Sequence, residues 1–258
     1  MERPSAGSIE YTARDGRHFD VGALEGRELK ELRNRIRYIF QDPARSLNPR
    51  LSVREVLLSG YRYSPRWPGR AGAEDEARRL IVEVGLNEGD LDRRPADFSG
   101  GQRQRISIAR ALITQPEVLI CDEVVSALDV SIQGQILNLL LRVRRERNLT
   151  MIFIAHDLAV VGYVSDRIGV MYRGVLVEEA PAQDLLERRE HPYTQYLFEA
   201  LPRLGARSDY SGIRNARFAG AFDPTRPPLS DESERIMDER PGGRRVSRAF
   251  GAAQSLSG

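Results

Sequence analysis

Three short segments hold the residue types that could do chemistry. The first is Phe98-Ser99-Gly100-Gly101-Gln102-Arg103-Gln104-Arg105. Ile106, Ala109, Leu112 and Ile113 follow at helical spacing, which predicts that the two glycines stand at a helix N-terminus. There the first backbone N–H groups lack partners and the helix dipole adds partial positive charge. Glycines let a phosphate approach the backbone, and the Ser99 hydroxyl can donate as well. The second segment, Val118-Leu119-Ile120-Cys121, is apolar and ends in Asp122-Glu123. The third, Met151-Ile152-Phe153-Ile154, ends in Ala155-His156-Asp157. Four apolar residues closed by polar ones read as strands, the first of them buried, whose C-terminal edges carry carboxylates and an imidazole. In α/β sheets ligands bind at that edge.

The elements between these segments must hold them in place. Arg37-Tyr38-Ile39-Phe40 reads as another strand, ending at Gln41 before Asp42-Pro43 and Asn48-Pro49, which break regular structure. Leu51 to Tyr61 and Ala73 to Val84 read as helices, with a Pro-, Gly- and Arg-rich loop between. Ser131 to Asn148 is the clearest helix. Ile132, Ile136, Leu139, Leu140 and Val143 form its core stripe, with arginines opposite. Leu158 to Val164 is a short helix. Arg167–Tyr172 and Val175–Glu179 read as two strands joined at Arg173-Gly174. Taken singly, each candidate has a plain structural reading. Ser-Gly-Gly can be a loop-to-helix junction, Asp122-Glu123 can cap a helix, His156 can be a core hydrogen-bonder, and Gln41 can be surface. Their ordered spacing argues for chemistry.

The ordered set resembles the ATP-binding subunit of an ABC transporter. Phe98–Gln102 matches the signature motif, Val118–Glu123 matches Walker B, Ser126–Asp129 the D-loop, His156 the switch histidine and Gln41 the Q-loop. Phe40-Gln41-Asp42-Pro43 with Ser46-Leu47-Asn48-Pro49-Arg50, and His191–Leu197, are similar to the oligopeptide/dipeptide importer branch. The resemblance spans about Ser5 to Pro202. It implies an α/β ATPase core, a mostly parallel sheet with flanking helices, carrying a helical subdomain. The implied segments are 1–50 (core up to the Q-loop), 51–115 (helical subdomain with signature), 116–202 (core with Walker B, D-loop and switch histidine) and 203–258, a disordered tail in which Pro, Gly and charged residues dominate.

The resemblance also implies roles, with ATP and Mg²⁺ as cofactors. Asp122 and Gln41 meet the metal, Glu123 polarises the attacking water, and His156 contacts the γ-phosphate. Gln41 also links the site to the membrane partner. Ser99, Gly100, Gly101, Gln102 and Asp129 act across a dimer interface on the partner's nucleotide. The implied partners are transmembrane permease subunits, a second ATP-binding subunit and, indirectly, a solute-binding protein outside the membrane. No nucleic acid is implied, and the implied location is the cytoplasmic face of the membrane, peripherally. His191 reads as structural or capping.

The family's phosphate cradle, G-x-x-x-x-G-K-[ST], does not occur in the sequence. Lys30, the single lysine, lies between Leu29 and Glu31. Two expectations stay open. One is a normal ATPase subunit whose leading segment is not in the sequence. The other is a degenerate half that only donates its signature face to a partner's ATP site. Either way, the strands that the leading segment would cover should show apolar surface. Val124 stands where the family usually has proline.

Composition fits this reading. The formal charge of +2 across 258 residues implies no polyanion-binding face. The lone cysteine, Cys121, forms no internal disulfide and reads as a buried thiol. No apolar run reaches the roughly 18 residues of a membrane span, and the expected setting is reducing and cytoplasmic. Neither long heptad arms nor tandem cassettes are present, as an ABC ATPase acting on DNA or the ribosome would need.

Overall fold

The computed structural model describes residues 6–199, 237–240 and 242–247. They fall into two compact units, Met1–His156 and Asp157–Gly258.

The first unit opens with an antiparallel pair, β1 (Glu10–Thr12) and β2 (His18–Asp20), followed by helix α1 (Gly26–Arg35). Ala13, Phe19 and Leu32 form the small core that binds them. The unit's centre is a three-stranded parallel sheet of order β3-β4-β5, with β3 Ile36–Ile39, β4 Val118–Asp122 and β5 Thr150–Ile154. The expected α/β architecture with parallel apolar strands is therefore present. One face of the sheet carries Ile39, Leu119 and Cys121, all buried. Burial pushes the Cys121 thiol up to about 12, so it is inert, as expected. On the other face Ile152 is 51% exposed and Ile154 46%. Parallel strands are usually covered on both faces, and here these two apolar side chains are open.

Between β3 and β4 the chain is helical: α2 (Pro43–Ser46), α3 (Val53–Tyr61), α4 (Gly69–Glu83), two 3-10 turns, then α5 (Gly100–Leu112). Pro43 does not end regular structure but starts α2, because a first-turn residue needs no N–H partner. Ser52 caps α3 in a reciprocal box with Glu55. Helix α6 (Val130–Glu146) then leads to β5.

Glu117, just before β4, ties the N-terminal elements to the sheet. Its carboxylate accepts from the Tyr11 hydroxyl (2.7 Å), from the Arg14 backbone N–H (2.8 Å) and from the Arg35 guanidinium, which pairs with it ionically. Burial alone would raise its pKa. The two hydrogen bonds and the Arg35 charge outweigh that and hold it below the usual carboxylate range.

The second unit contains α7 (Leu158–Val164), a sheet of order β6-β7-β9-β8, α8 (Ala182–Glu187) and α9 (Pro192–Glu199). Strands β6 (Arg167–Tyr172) and β7 (Val175–Pro181) turn at Arg173-Gly174, both in the left-handed region, as the sequence signalled. The expected disordered tail needs a correction at β8 (Met237–Arg240) and β9 (Arg244–Ser247). These form a hairpin that extends the sheet against β7. Arg244 gives the physical reason. It is buried against Glu178 at 3.0 Å, and Glu178 is itself fully buried. The rest of that span lies outside the described residues.

Candidate functional site

Three parallel strands deliver the candidate residues from their C-terminal ends. Gln41 follows β3, Asp122-Glu123 closes β4, and His156 follows β5. Gln41 and His156 converge on Glu123. Gln41 Nε2 donates to Glu123 Oε2, and His156 Nδ1 lies 3.1 Å from Glu123 Oε1. Glu123 stands at φ +47°, a left-handed conformation that costs a non-glycine residue about 1 kcal/mol. It is held there because its N–H bonds Ile154 O (2.9 Å), while its carbonyl accepts from Ser126 N (3.1 Å) and Ser126 Oγ (3.0 Å). Val124, the departure from the family pattern, is buried in this turn.

Asp122 has a partner that the sequence did not suggest. Tyr38 pairs with Ile120 across the sheet, so Tyr38 and Asp122 share the open face. The Tyr38 hydroxyl donates to Asp122 Oδ2, and the Phe40 ring packs on Tyr38 at 4.6 Å between centroids. The hydrogen bond to Asp122, aided by burial and by the Asp122 charge, pushes the Tyr38 phenol up to about 12. It therefore keeps its proton at neutral pH. The one available signal was the Tyr38/Phe40 alternation, which puts both rings on the face shared with Asp122.

A second cluster lies at the N-termini of α5 and α6. Ser99 caps α5 in a reciprocal box: Ser99 Oγ accepts from Gln102 N (3.3 Å), and Gln102 Oε1 accepts from Ser99 N (3.0 Å). The exposed Ser99 hydroxyl thus keeps its own proton for another acceptor. Phe98 is buried under the Arg93 guanidinium, 4.4 Å from the ring centre, which fixes the approach to the helix. Asp129 caps α6, its Oδ1 accepting from Ile132 N (3.0 Å) and Ser131 Oγ (2.8 Å); these bonds hold its carboxyl below the usual range. The two helix starts touch: a Cβ placed on Gly101 would lie 2.6 Å from Ile132 Cγ2. Close packing of α5 on α6 therefore accounts for glycine at 101, whatever approaches from outside.

The structure thus gathers Gln41, Asp122, Glu123 and His156 in one place and Ser99–Gln102 with Asp129 in another. The 123–129 turn joins the two clusters, braced by Gln133 Nε2 donating to Val125 O (3.0 Å). Residues 1–126 match the family described as ABC transporter. The oligopeptide transport ATP-binding protein OppF of Bacillus subtilis is 44% identical over 238 residues, which span 90% of this chain and 76% of that protein. The chain belongs to the ABC transporter ATP-binding family. Residues 177–220 match a second family, described as oligopeptide/dipeptide transporter, C-terminal region. A putative peptide import ATP-binding protein of Brucella ovis is 46% identical, over 77% of this chain and 61% of its own length. Among solved structures, the dimeric ATP-binding cassette MJ0796 bound to ADP and Pi superposes with a TM-score of 0.60 at 27% identity, over 70% of this chain and 75% of that one. The ABC cassette fold read from the motifs is the one found. His191, outside the site, caps α9: its Nδ1 accepts from Tyr193 N (3.1 Å).

Proposed function

We propose that this ABC protein is the ATP-binding and ATP-hydrolysing subunit of an importer for peptides or similar solutes. It works as a dimer on transmembrane permease subunits at the cytoplasmic face of the membrane. The observation that carries the reading is the convergence of Gln41 and His156 on Glu123, with Asp122 beside it, at one sheet edge. The match of residues 177–220 and the names of the relatives support the peptide class. Among the described residues no helix is long and apolar enough to cross a membrane, which fits a peripheral subunit.

Hydrolysis of ATP to ADP and phosphate needs an oriented water and compensation of the charge that develops. Glu123 accepts the proton of the water, oriented by Gln41 on one oxygen and His156 on the other. His156 is exposed and can also reach a phosphate. Asp122 Oδ1, which has no hydrogen-bond partner among the described residues, and Gln41 Oε1 would hold Mg²⁺. Two oxygen donors suit this ion, which takes few protein ligands and completes its shell with waters and phosphates. No cluster of three or more His, Cys, Asp or Glu that could hold a metal occurs among the described residues. The bound ion supplies charge neutralisation at the phosphates. Ser99 donates its hydroxyl, and Gly100 and Gly101 their helix-start N–H groups, to a nucleotide held by the partner subunit, with the Gln102 side chain and Asp129 at the same interface.

The test is peptide uptake. The complex that assembles around this protein in its own cell is purified and placed in vesicles, and entry of a labelled short peptide is followed with ATP present. Uptake that stops in Ser99→Arg while the complex stays assembled is the expected result. Uptake of no peptide, or uptake untouched by Ser99→Arg, overturns the reading.

A further inference from the structure

We infer that Tyr38 is the positioning residue for Asp122: its hydroxyl fixes one carboxylate oxygen so that the other is presented to the divalent ion. The inference rests on the reading of Asp122 as a metal ligand and adds a residue to it.

Three observations lead here. First, the sheet register places Tyr38 opposite Ile120 and thereby on the Asp122 side of the sheet, one diagonal step from Asp122. Diagonal neighbours stand roughly 7–8 Å apart, a gap that a tyrosine spans and most side chains do not. Second, the hydroxyl donates to Oδ2 of Asp122, not to Glu123. The neighbouring carboxylate already has its own two partners in Gln41 and His156. The two carboxylates are thus held by separate residues, and Tyr38 is the only side-chain partner of Asp122 among the described residues. Third, Phe40 packs against the Tyr38 ring at 4.6 Å, restricting where the hydroxyl can point.

A carboxylate at a strand end turns about its χ2 bond and offers either oxygen. Magnesium demands near-octahedral geometry and is held by one or two carboxylates. Fixing Oδ2 by a hydrogen bond leaves Oδ1 as the single oriented ligand atom. Outer partners of this kind usually change metal affinity by about 10–100-fold when removed.

The experiment titrates the full chain with Mn²⁺ as the probe and follows the free ion by electron paramagnetic resonance. Wild type, Tyr38→Phe, Phe40→Leu and Asp122→Asn are compared, with thermal unfolding of each measured alongside. The expected result is a site lost in Asp122→Asn and weakened about tenfold in Tyr38→Phe, with the unfolding midpoint of Tyr38→Phe unchanged. Phe40→Leu weakens it less, because the hydroxyl remains. Wild-type affinity in Tyr38→Phe overturns the role of Tyr38 and leaves Asp122 as a ligand. A wild-type chain that binds Mn²⁺ no better than Asp122→Asn overturns the reading of Asp122, and the role of Tyr38 with it. A loss of affinity that tracks a lowered unfolding midpoint in Tyr38→Phe and Phe40→Leu alike means packing only, and also overturns the inference.

Discussion

His156 Nδ1 sits 3.1 Å from Oε1 of Glu123, although 33 residues separate them. The contact exists because β4 and β5 run parallel in register, Asp122 opposite Ile154, so that the residues just beyond each strand emerge side by side. His156→Ala should therefore lower ATP turnover by about 100-fold, the lower end for loss of a group acting in proton transfer or its support. Steady-state phosphate release from the assembled complex measures it.

Gly101 is fixed by packing. Gly101→Ala puts a methyl into Ile132 and should destabilise the first unit by about 1–3 kcal/mol. Adding Ile132→Ala should return part of that, since the clashing Cγ2 is gone. Urea unfolding of the two single variants and the double variant reads the coupling between these sites.

The Ser99 cap has a stability value separate from any nucleotide contact. Ser99→Ala should cost about 1 kcal/mol, as loss of an N-cap serine usually does. The same denaturation measured without nucleotide isolates that part. An equal loss with nucleotide added would mean that Ser99 does no more than cap.

The second unit should weaken in mild acid. Burial pushes the His191 imidazole down to about 4, the nearby Glu178 charge opposing it only in part. An unfolded histidine titrates near 6.5. Below that value the unfolded chain takes up a proton that the folded unit refuses. The stability that neutral His191 contributes is thus whole above about pH 6.5. It is lost as pH falls toward 4, by up to about 3 kcal/mol. His191→Asn keeps an acceptor for Tyr193 N and should flatten that slope. Unfolding midpoints between pH 7 and pH 4 show whether it does.

Arg244 and Glu178 form a buried pair whose separation leaves a charge without compensation. Arg244→Met should cost about 3–5 kcal/mol, or release the β8–β9 hairpin if the unit avoids that cost. Adding Glu178→Gln should recover much of it. Hydrogen exchange of the amides in 237–240 and 242–247 distinguishes release from destabilisation throughout the unit.

Local signals carried far in this sequence. Ser99-Gly100-Gly101 followed by an apolar period reads as a capped helix, because capping involves residues three apart. Val118–Asp122 and Met151–Ile154 read as strands from four apolar residues each, although no residue of the second is buried, and the Arg173-Gly174 turn reads from its glycine. Long-range partners stayed hidden. Tyr38 meets Asp122 across 84 residues, Tyr11 meets Glu117 across 106, and Arg244 meets Glu178 across 66. None of these pairs leaves a periodic trace. Arg244 also sits in a polar, Gly-rich stretch whose composition suggests no order, yet one buried ion pair and two ladder positions of β9 on β7 dock it.

The central claim is that Glu123, held by Gln41 and His156, accepts the proton of the attacking water. Its most direct test is ATP turnover by the complex purified from the native cell, wild type against Glu123→Gln, with assembly checked by size. Glutamine keeps the shape and loses the base. The account predicts retained assembly and a fall in turnover of at least about 100-fold. Turnover equal to wild type in an intact Glu123→Gln complex would contradict it.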